Sequence, residues 1–384
     1  MIPYGKQSVS QSDIDAVVDV LKSDFLTQGH VVPAFENAIC KYTGASFGVA
    51  VNSGTSALHI ACLSLGLAKG DYLWTTPISF VASANCGLYC GATIDFVDID
   101  KQTWNIDVQL LESKLQIAKK EQRLPKILVV VHMAGLPVDL EKIHELSKKY
   151  DFQIIEDACH ALGATYQERP IGSCQFSDIS VFSFHPVKSI TTGEGGMAVT
   201  NDKVLADKMR LYSSHGITRD ETLMTEVSEG GWYYEQIELG YNYRLSDIHA
   251  ALGLSQLERL DEFIDERQKI AAFYNESLKA LPLQLPINMD DRSSAQHLYI
   301  VLLKSENPSE HKQVYERLRS KGIGVNVHYI PIHLQPFYQT MGFKKGDYPV
   351  SETYYQKAIS LPCFPGLLKS EQETVINSLA EILQ

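Results

Sequence analysis

From about residue 34 to residue 200, short apolar runs of strand length alternate with segments whose apolar residues recur every three or four positions. Strands buried on both faces read as continuous apolar runs, and consecutive parallel strands must be joined by a crossover, usually a helix. No other feature constrains the chain as much. The alternation predicts an α/β fold: a mainly parallel central sheet with helices on both faces. "KILVVVHMAG" is wholly apolar through its middle and is predicted as a central strand, with "TIDFVDID", "FQIIEDACHA", "ISVFSF" and "GGMAVT" as further strands. "VPAFENAICKYTG" has helical spacing and closes on Gly44, and "LEKIHELSKKYD" reads as an amphipathic helix. "FGVAVNSGTSALHIACLSLGL" reads as strand, polar turn and helix, and "DYLWTTPISFVASANCGLYCG" repeats that order with a helix from about Phe80 to Gly91.

Beyond residue 200 the pattern changes. A helix is predicted over about 203–212, followed by a polar loop and, from Ser246, one long helix with Ser246 as its cap. After Leu281 come a strand ("HLYIVLLK"), a helix ("KQVYERLRSKG"), a strand ("IGVNVHYI") and a closing helix ("SEQETVINSLAEILQ"). The division this predicts is a large α/β domain over 1–245, a linking helix over 246–280 and a smaller α+β domain over 281–384.

The formal net charge of −12 removes the basic footprint of a nucleic-acid binder and makes a basic membrane surface unexpected. No segment reaches eighteen uninterrupted apolar residues, and "MIPYGKQSVSQSDIDAVVDVL" lacks the basic-then-apolar order of a signal peptide. The seven cysteines form no CxxC pair and mostly sit within apolar runs, which predicts reduced thiols in a cytoplasmic protein. No metal-ligand spacing supports a zinc site.

Three local features bear on chemistry. In "NSGTSALH" a strand gives way to Gly54, Thr55 and Ser56 just before a helix, where backbone amides and the helix dipole suit a phosphate. Taken alone, such a turn is more simply read as an ordinary connection capped by Ser or Thr. Asp157 ends the apolar run "FQII" after Glu156, at the carboxyl end of a strand, where open α/β sheets bind ligands. A helix cap is the plainer use of such an aspartate, whereas a buried carboxylate facing a heteroaromatic nitrogen keeps that nitrogen protonated. Lys188 stands in the largely apolar "VFSFHPVKSITTGEGGMAVT". A lysine removed from water loses proton affinity and can add to an aldehyde as a Schiff base, although its stem could also carry the charge to the surface. The three together describe an enzyme that uses pyridoxal 5'-phosphate (PLP).

With these residues in place the chain resembles the DegT/DnrJ-type, fold-type I aminotransferases that act on nucleotide-linked keto sugars. The resemblance runs from "LTQG" through "NSGTSALH", "EDACHALGA", "SFHPVKSITTGEGG" and "GYNYRLSDIHAALGLSQL" to "HYIPIHLQPFY". It implies that Lys188 forms the Schiff base, Asp157 meets the pyridine nitrogen and Phe80 stacks on the ring. Thr55, Ser56 and Ser183 would hold the phosphate, and Asn242 would reach the phosphate in the neighbouring subunit of a homodimer with shared active sites. His160 stands where many members carry glutamine, near the ring oxygen. The wording is closest to the pseudaminic acid subgroup, which implies a UDP-linked 4-keto sugar, UDP-2-acetamido-2,6-dideoxy-β-L-arabino-hexos-4-ulose, and L-glutamate as amino donor. Thr27, Gln28 and Gly29 resemble the N-terminal segment lining the substrate site, with Tyr4 as a further candidate, and His328 and Tyr329 lie in a loop near the substrate entrance. His185, next to Pro186, could orient the site or simply pack.

Two other readings are weighed. A dehydratase of the same fold carries histidine in place of the Schiff-base lysine, so Lys188 opposes it. A PLP-binding regulator without turnover would lack the need for both Asp157 and Lys188, and no added helix-turn-helix is visible.

Overall fold

The computed structural model describes residues 1–305 and 307–383. Helices α1 (Gln11–Leu21) and α2 (Val31–Thr43) precede strand β1 (Phe47–Val51), helix α3 (Gly54–Ser64), β2 (Tyr72–Thr75), α4 (Ala82–Tyr89) and β3 (Thr93–Phe96). Next come α5 (Val108–Lys120), β4 (Ile127–Val131), α6 (Leu140–Tyr150), β5 (Gln153–Asp157), β6 (Ile179–Ser183), β7 (Gly196–Thr200) and α7 (Lys203–Ser213). As the spacing predicts, α2 ends on Gly44, whose φ of 81° is the left-handed turn that a glycine accepts without strain.

The large sheet has the order β1-β7-β6-β5-β4-β2-β3. Only β7 pairs antiparallel, with β1 on one side and β6 on the other. This exception has a local cause: the chain leaves β6, makes the short loop that holds Lys188 and returns directly beside it, with no crossover helix. The mainly parallel α/β fold predicted from the alternation is therefore the observed one, with one reversed strand. Successive residues of β4 face opposite cores. Leu128 and Val130 pack in the layer with α2, α5 and α6, while Ile127 and Val129 pack in the layer with α3 and α4. All five β4 residues are buried, which is why that run shows no polar alternation.

The predicted single long helix is two. Helix α8 (Asp247–Leu257) begins at the Ser246 cap, whose hydroxyl accepts from the His249 N–H, but it stops at Glu258, and α9 (Leu260–Leu278) follows. No proline or glycine marks the break. Arg259 leaves helical geometry (φ −110°, ψ 8°), and its guanidinium reaches Asp13 of α1 at 2.5 Å. Asp13 is fully buried and also accepts from Gln256 and Ser255, so a satisfied buried carboxylate outweighs one unbroken helical turn.

The rest of the chain forms a second sheet from β8 (Leu283–Gln284), β9 (Tyr299–Leu303) and β10 (Ala358–Leu361), in the order β8-β9-β10. Helices α10 (Pro308–Ser320), α12 (Pro349–Tyr355) and α13 (Lys369–Leu383) pack around it, with α9, α10 and α13 sharing one core, whereas α11 (Pro336–Gln339) packs its Tyr338 into the large-sheet layer with α3 and α4. Gln384, the end of the predicted closing helix, lies outside the described residues. "IGVNVHYI" is not a strand. It is extended but makes only isolated bridges, Ile323 with Ile2 and Asn326 with Ser360, because the amino terminus lies against its first residues and Asn326 bonds its own chain at Val327.

Candidate active site

The carboxyl ends of β1, β4, β5 and β6 open into a cavity of about 400 Å³, closed on its far side by Tyr4, His297, His328 and Tyr329. Lys188, Asp157, Gly54, Thr55, Phe80, His160 and Ser183 all line it. Residues separated by more than 130 positions thus converge because each follows a strand or begins a helix at one edge of the sheet.

Asp157 ends β5 and is buried. Its Oδ2 accepts from the Ser83 hydroxyl at 2.6 Å, and its Oδ1 from the Cys159 N–H at 3.3 Å. Ser79 stands 2.7 Å from Ser83 and extends the chain of hydroxyls. Glu156, its neighbour, points to the opposite side of the strand. There it meets His132 and the Ser177 and Ser180 hydroxyls. Burial alone would raise the Glu156 carboxyl, but these partners outweigh it and hold it below its ordinary value. Glu156 is a structural acid and Asp157 the one facing the cavity.

Lys188 is partly buried in the loop between β6 and β7, and its N–H donates to the His185 carbonyl at 2.9 Å. Burial lowers its amine below the ordinary lysine value, against the opposing pull of Cys159 and Asp157. Three histidines nearby are held neutral. His160 and His297 are pushed well below their ordinary range, first by burial and then by neighbouring charges including Lys188, and His328 is pushed down to about 4 by burial and Lys188. His160 Nε2 lies 3.1 Å from the Tyr329 hydroxyl, while its Nδ1 is buried without a hydrogen-bond partner in the structure. The His328–Tyr329 peptide bond is cis.

The turn before α3 is a cradle. Ser53 caps the helix by accepting from the Ser56 N–H at 3.1 Å, which leaves the Gly54 and Thr55 end of the helix facing the cavity. A methyl group at Gly54 would stand 3.0 Å from the Ser183 side chain, and one at Gly196 would stand 2.4 Å from the Ser53 carbonyl. Two glycines therefore bring Ser183 and β7 against the start of α3. A deep site with an anion-ready helix terminus, a buried carboxylate, an amine of reduced basicity and an unsatisfied histidine nitrogen suits PLP. Gly54, Thr55 and Ser183 would take its phosphate, Asp157 its ring nitrogen and Lys188 its aldehyde.

Several predicted site residues fall elsewhere. Ser56 does not line the cavity: its hydroxyl turns back to Asn52 at 2.7 Å. Thr27, Gln28 and Gly29 are not brought to the cavity of their own chain. They lie in the connection just before α2, where the Gly29 N–H donates to Asp247 at 2.7 Å. Asn242 is exposed and also outside that cavity. His185, by contrast, does line the cavity. Sequence reasoning missed Ser83, Ser53, Cys159 and His297. Ser83 follows Phe80 by one helical turn, a signal that could have placed it beside the ring site. Among the described residues no group of three or more His, Cys, Asp or Glu side chains is placed to hold a metal ion, and no helix is long and apolar enough to cross a membrane.

Fold and site together define a PLP-dependent aminotransferase. The chain belongs to the DegT/DnrJ/EryC1/StrS aminotransferase family, whose model matches residues 7–380. It is 39% identical over 387 residues to the UDP-4-amino-4,6-dideoxy-N-acetyl-beta-L-altrosamine transaminase of Campylobacter jejuni, covering 100% of this chain and 98% of that one. Among solved structures, Helicobacter pylori PseC, described as an aminotransferase involved in pseudoaminic acid biosynthesis, superimposes with a TM-score of 0.90 at 35% identity, covering 100% of this chain and 99% of that one. The sugar aminotransferase Spr1654 of Streptococcus pneumoniae, described as putative and solved in its PMP-form, gives 0.91 at 28% identity over 100% and 99% of the two chains, and its PLP-form gives 0.89.

Proposed function

We propose that this protein transfers the amino group of L-glutamate to carbon 4 of UDP-2-acetamido-2,6-dideoxy-β-L-arabino-hexos-4-ulose. The product is UDP-4-amino-4,6-dideoxy-N-acetyl-β-L-altrosamine, a precursor of pseudaminic acid. The observation that carries this reading is the convergence of Lys188 and Asp157 on one cavity at the head of α3, in a chain similar over its whole length to named altrosamine transaminases. When bound, PLP supplies an electron sink that stores the amino group between two half-reactions.

The chain's residues do the rest. Lys188, its basicity reduced by burial, would hold the cofactor's aldehyde carbon and, as a free amine, take the proton from the donor's α-carbon and later deliver a proton to carbon 4 of the sugar. One amine is base and then acid. Asp157, oriented by Ser83 and the Cys159 N–H, would hold the ring nitrogen in its protonated form. Phe80 would stack on the cofactor ring, and the Tyr329–His160 pair, with its imidazole neutral, would stand near the ring oxygen. Tyr4, His328 and Tyr329 form the sugar side of the cavity.

The working unit in this reading is a cytoplasmic homodimer. Among the described residues lining the cavity, Lys188 is the sole lysine or arginine, so two substrate carboxylates and a diphosphate need groups from elsewhere. Asn242 and the segment Thr27, Gln28 and Gly29 are assigned to the neighbouring subunit's site, which accounts for their positions outside their own. The test is mass spectrometry of products from a panel of UDP- and dTDP-linked 3-keto and 4-keto sugars with glutamate. A 4-amino product from the UDP-linked L-arabino sugar supports the reading; a product from another sugar alone reassigns the substrate.

A further inference from the structure

Arg267 of α9 is only 1% exposed, yet among the described residues no carboxylate pairs with it. A buried guanidinium is costly unless its protons are taken up, and a carboxylate is its usual partner. Here Nη1 donates instead to two backbone carbonyls, those of His297 at 3.1 Å and Cys363 at 2.6 Å, while Nε has no partner. Core packing alone would be served better by a leucine or methionine of similar length, so the charge has another reason to be there.

Both carbonyls lead to the cavity. His297 lines it directly, and its ring centroid stands 4.5 Å from that of His160, which in turn meets Tyr329. The Cys363 N–H donates to the Tyr4 carbonyl at 3.2 Å, and Tyr4 lines the cavity with its ring 5.5 Å from that of His328. One cation therefore ties three separate stretches, the linking helix, the approach to β9 and the exit from β10, together with the amino terminus. The groups it fixes all belong to the wall opposite Asp157, Gly54 and Ser183.

We propose that Arg267 is a positioning residue that sets the sugar-binding wall of the cavity through His297 and Tyr4. This rests on the aminotransferase reading above. Because Lys188 and Asp157 hang from other elements, loss of Arg267 weakens binding of the sugar nucleotide more than it slows proton transfer. The charge also acts on His297, which faces Arg267, His160, Lys188 and His328 and stays neutral among them.

The experiment compares the PLP-loaded wild type with Arg267→Met and Arg267→Lys. Thermal melting and visible absorbance establish folding and cofactor content. Then kcat, KM for the keto sugar, and the calorimetric Kd of the UDP-amino sugar product are measured. Arg267→Met is expected to raise KM and Kd about tenfold with kcat changed less than about threefold, and Arg267→Lys to recover part of the loss. If Arg267→Met does not fold, Arg267→Lys alone decides, with a rise of about threefold in KM and Kd expected. Folded, loaded variants with unchanged KM and Kd overturn the positioning role while leaving the aminotransferase reading intact. A wild type that converts no keto sugar sinks both.

Discussion

The Ser83 hydroxyl donates a 2.6 Å hydrogen bond to Oδ2 of Asp157, joining two residues 74 positions apart in the chain. Ser83 sits in the first turn of α4 and Asp157 at the end of β5, so the bond fixes the carboxylate that faces the cavity to the helix that follows Phe80. Ser83→Ala leaves a buried carboxylate short of one donor, a loss of about 1–3 kcal/mol. The expected outcome is a fall in kcat of about tenfold with cofactor still bound, whereas Asp157→Ala should lose activity by about a hundredfold or more. Steady-state kinetics on cofactor-saturated protein checks both, and an unaltered kcat in Ser83→Ala would remove its role.

Gly196 lets β7 touch the turn that starts α3. A methyl group there would meet the Ser53 carbonyl carbon and oxygen at 2.4 Å and the Gly54 nitrogen at 2.5 Å, all backbone atoms that cannot swing aside. Gly196→Ala is expected to push the phosphate cradle open and weaken PLP retention about tenfold or more, measured by visible absorbance after desalting. Retention equal to the wild type would show that the cradle is not the phosphate site.

Acid should destabilise the fold through its neutral histidines. An unfolded histidine takes up its proton near pH 6.5, whereas folded His328 holds out to about 4, so the unfolded state binds more protons in between. Stability from this residue is therefore fully present above about pH 6.5 and is lost as pH falls towards 4. For His328 alone the loss between pH 7 and 5.5 is roughly 1 kcal/mol, and His160 and His297 shift in the same direction. Denaturant unfolding across this range should show the decline, and His328→Gln should make it shallower. Stability that is flat or rises towards pH 5.5 would contradict it.

Cys90 ends α4 beside Cys62 and His59 of α3. The Cys62 thiol pulls it down to about 6, against burial and with help from His59, while the Cys62 thiol itself is raised by burial. Since the thiolate is the reactive form, limiting iodoacetamide at pH 7 should label Cys90 ahead of the other cysteines, and the preference should fade by pH 5. Peptide mapping reads the order directly. Labelling led by a buried cysteine such as Cys62 or Cys174 would count against it.

What was legible in the sequence is what depends on local pattern. Asp157 and Lys188 could be found because each is a polar residue at the end of, or between, apolar runs whose burial was evident. The strands of the large sheet followed from the same signal. What depends on distant partners was hidden. The break at Arg259 has no breaker residue and exists because Asp13, far back in α1, is buried and needs a donor. The predicted strand "IGVNVHYI" carries a good apolar pattern but shares its edges with Ile2 and Ser360 only at single bridges. Ser56 looked equivalent to Thr55, and only the direction of its hydroxyl towards Asn52 separates them. Arg267 reads as an exposed charge on an amphipathic helix, since nothing local announces the two carbonyls it binds.

The most direct measurement concerns Lys188. Protein reconstituted with PLP is reduced with borohydride, digested and analysed by mass spectrometry, with Lys188→Ala alongside. The expected result is a pyridoxyl phosphate mass on the peptide containing Lys188, loss of that label and of turnover in Lys188→Ala, and retained folding by thermal melting. Label on a different lysine, or turnover near the wild-type rate in Lys188→Ala, would contradict the assignment of Lys188 as the amine that binds the cofactor and moves the proton.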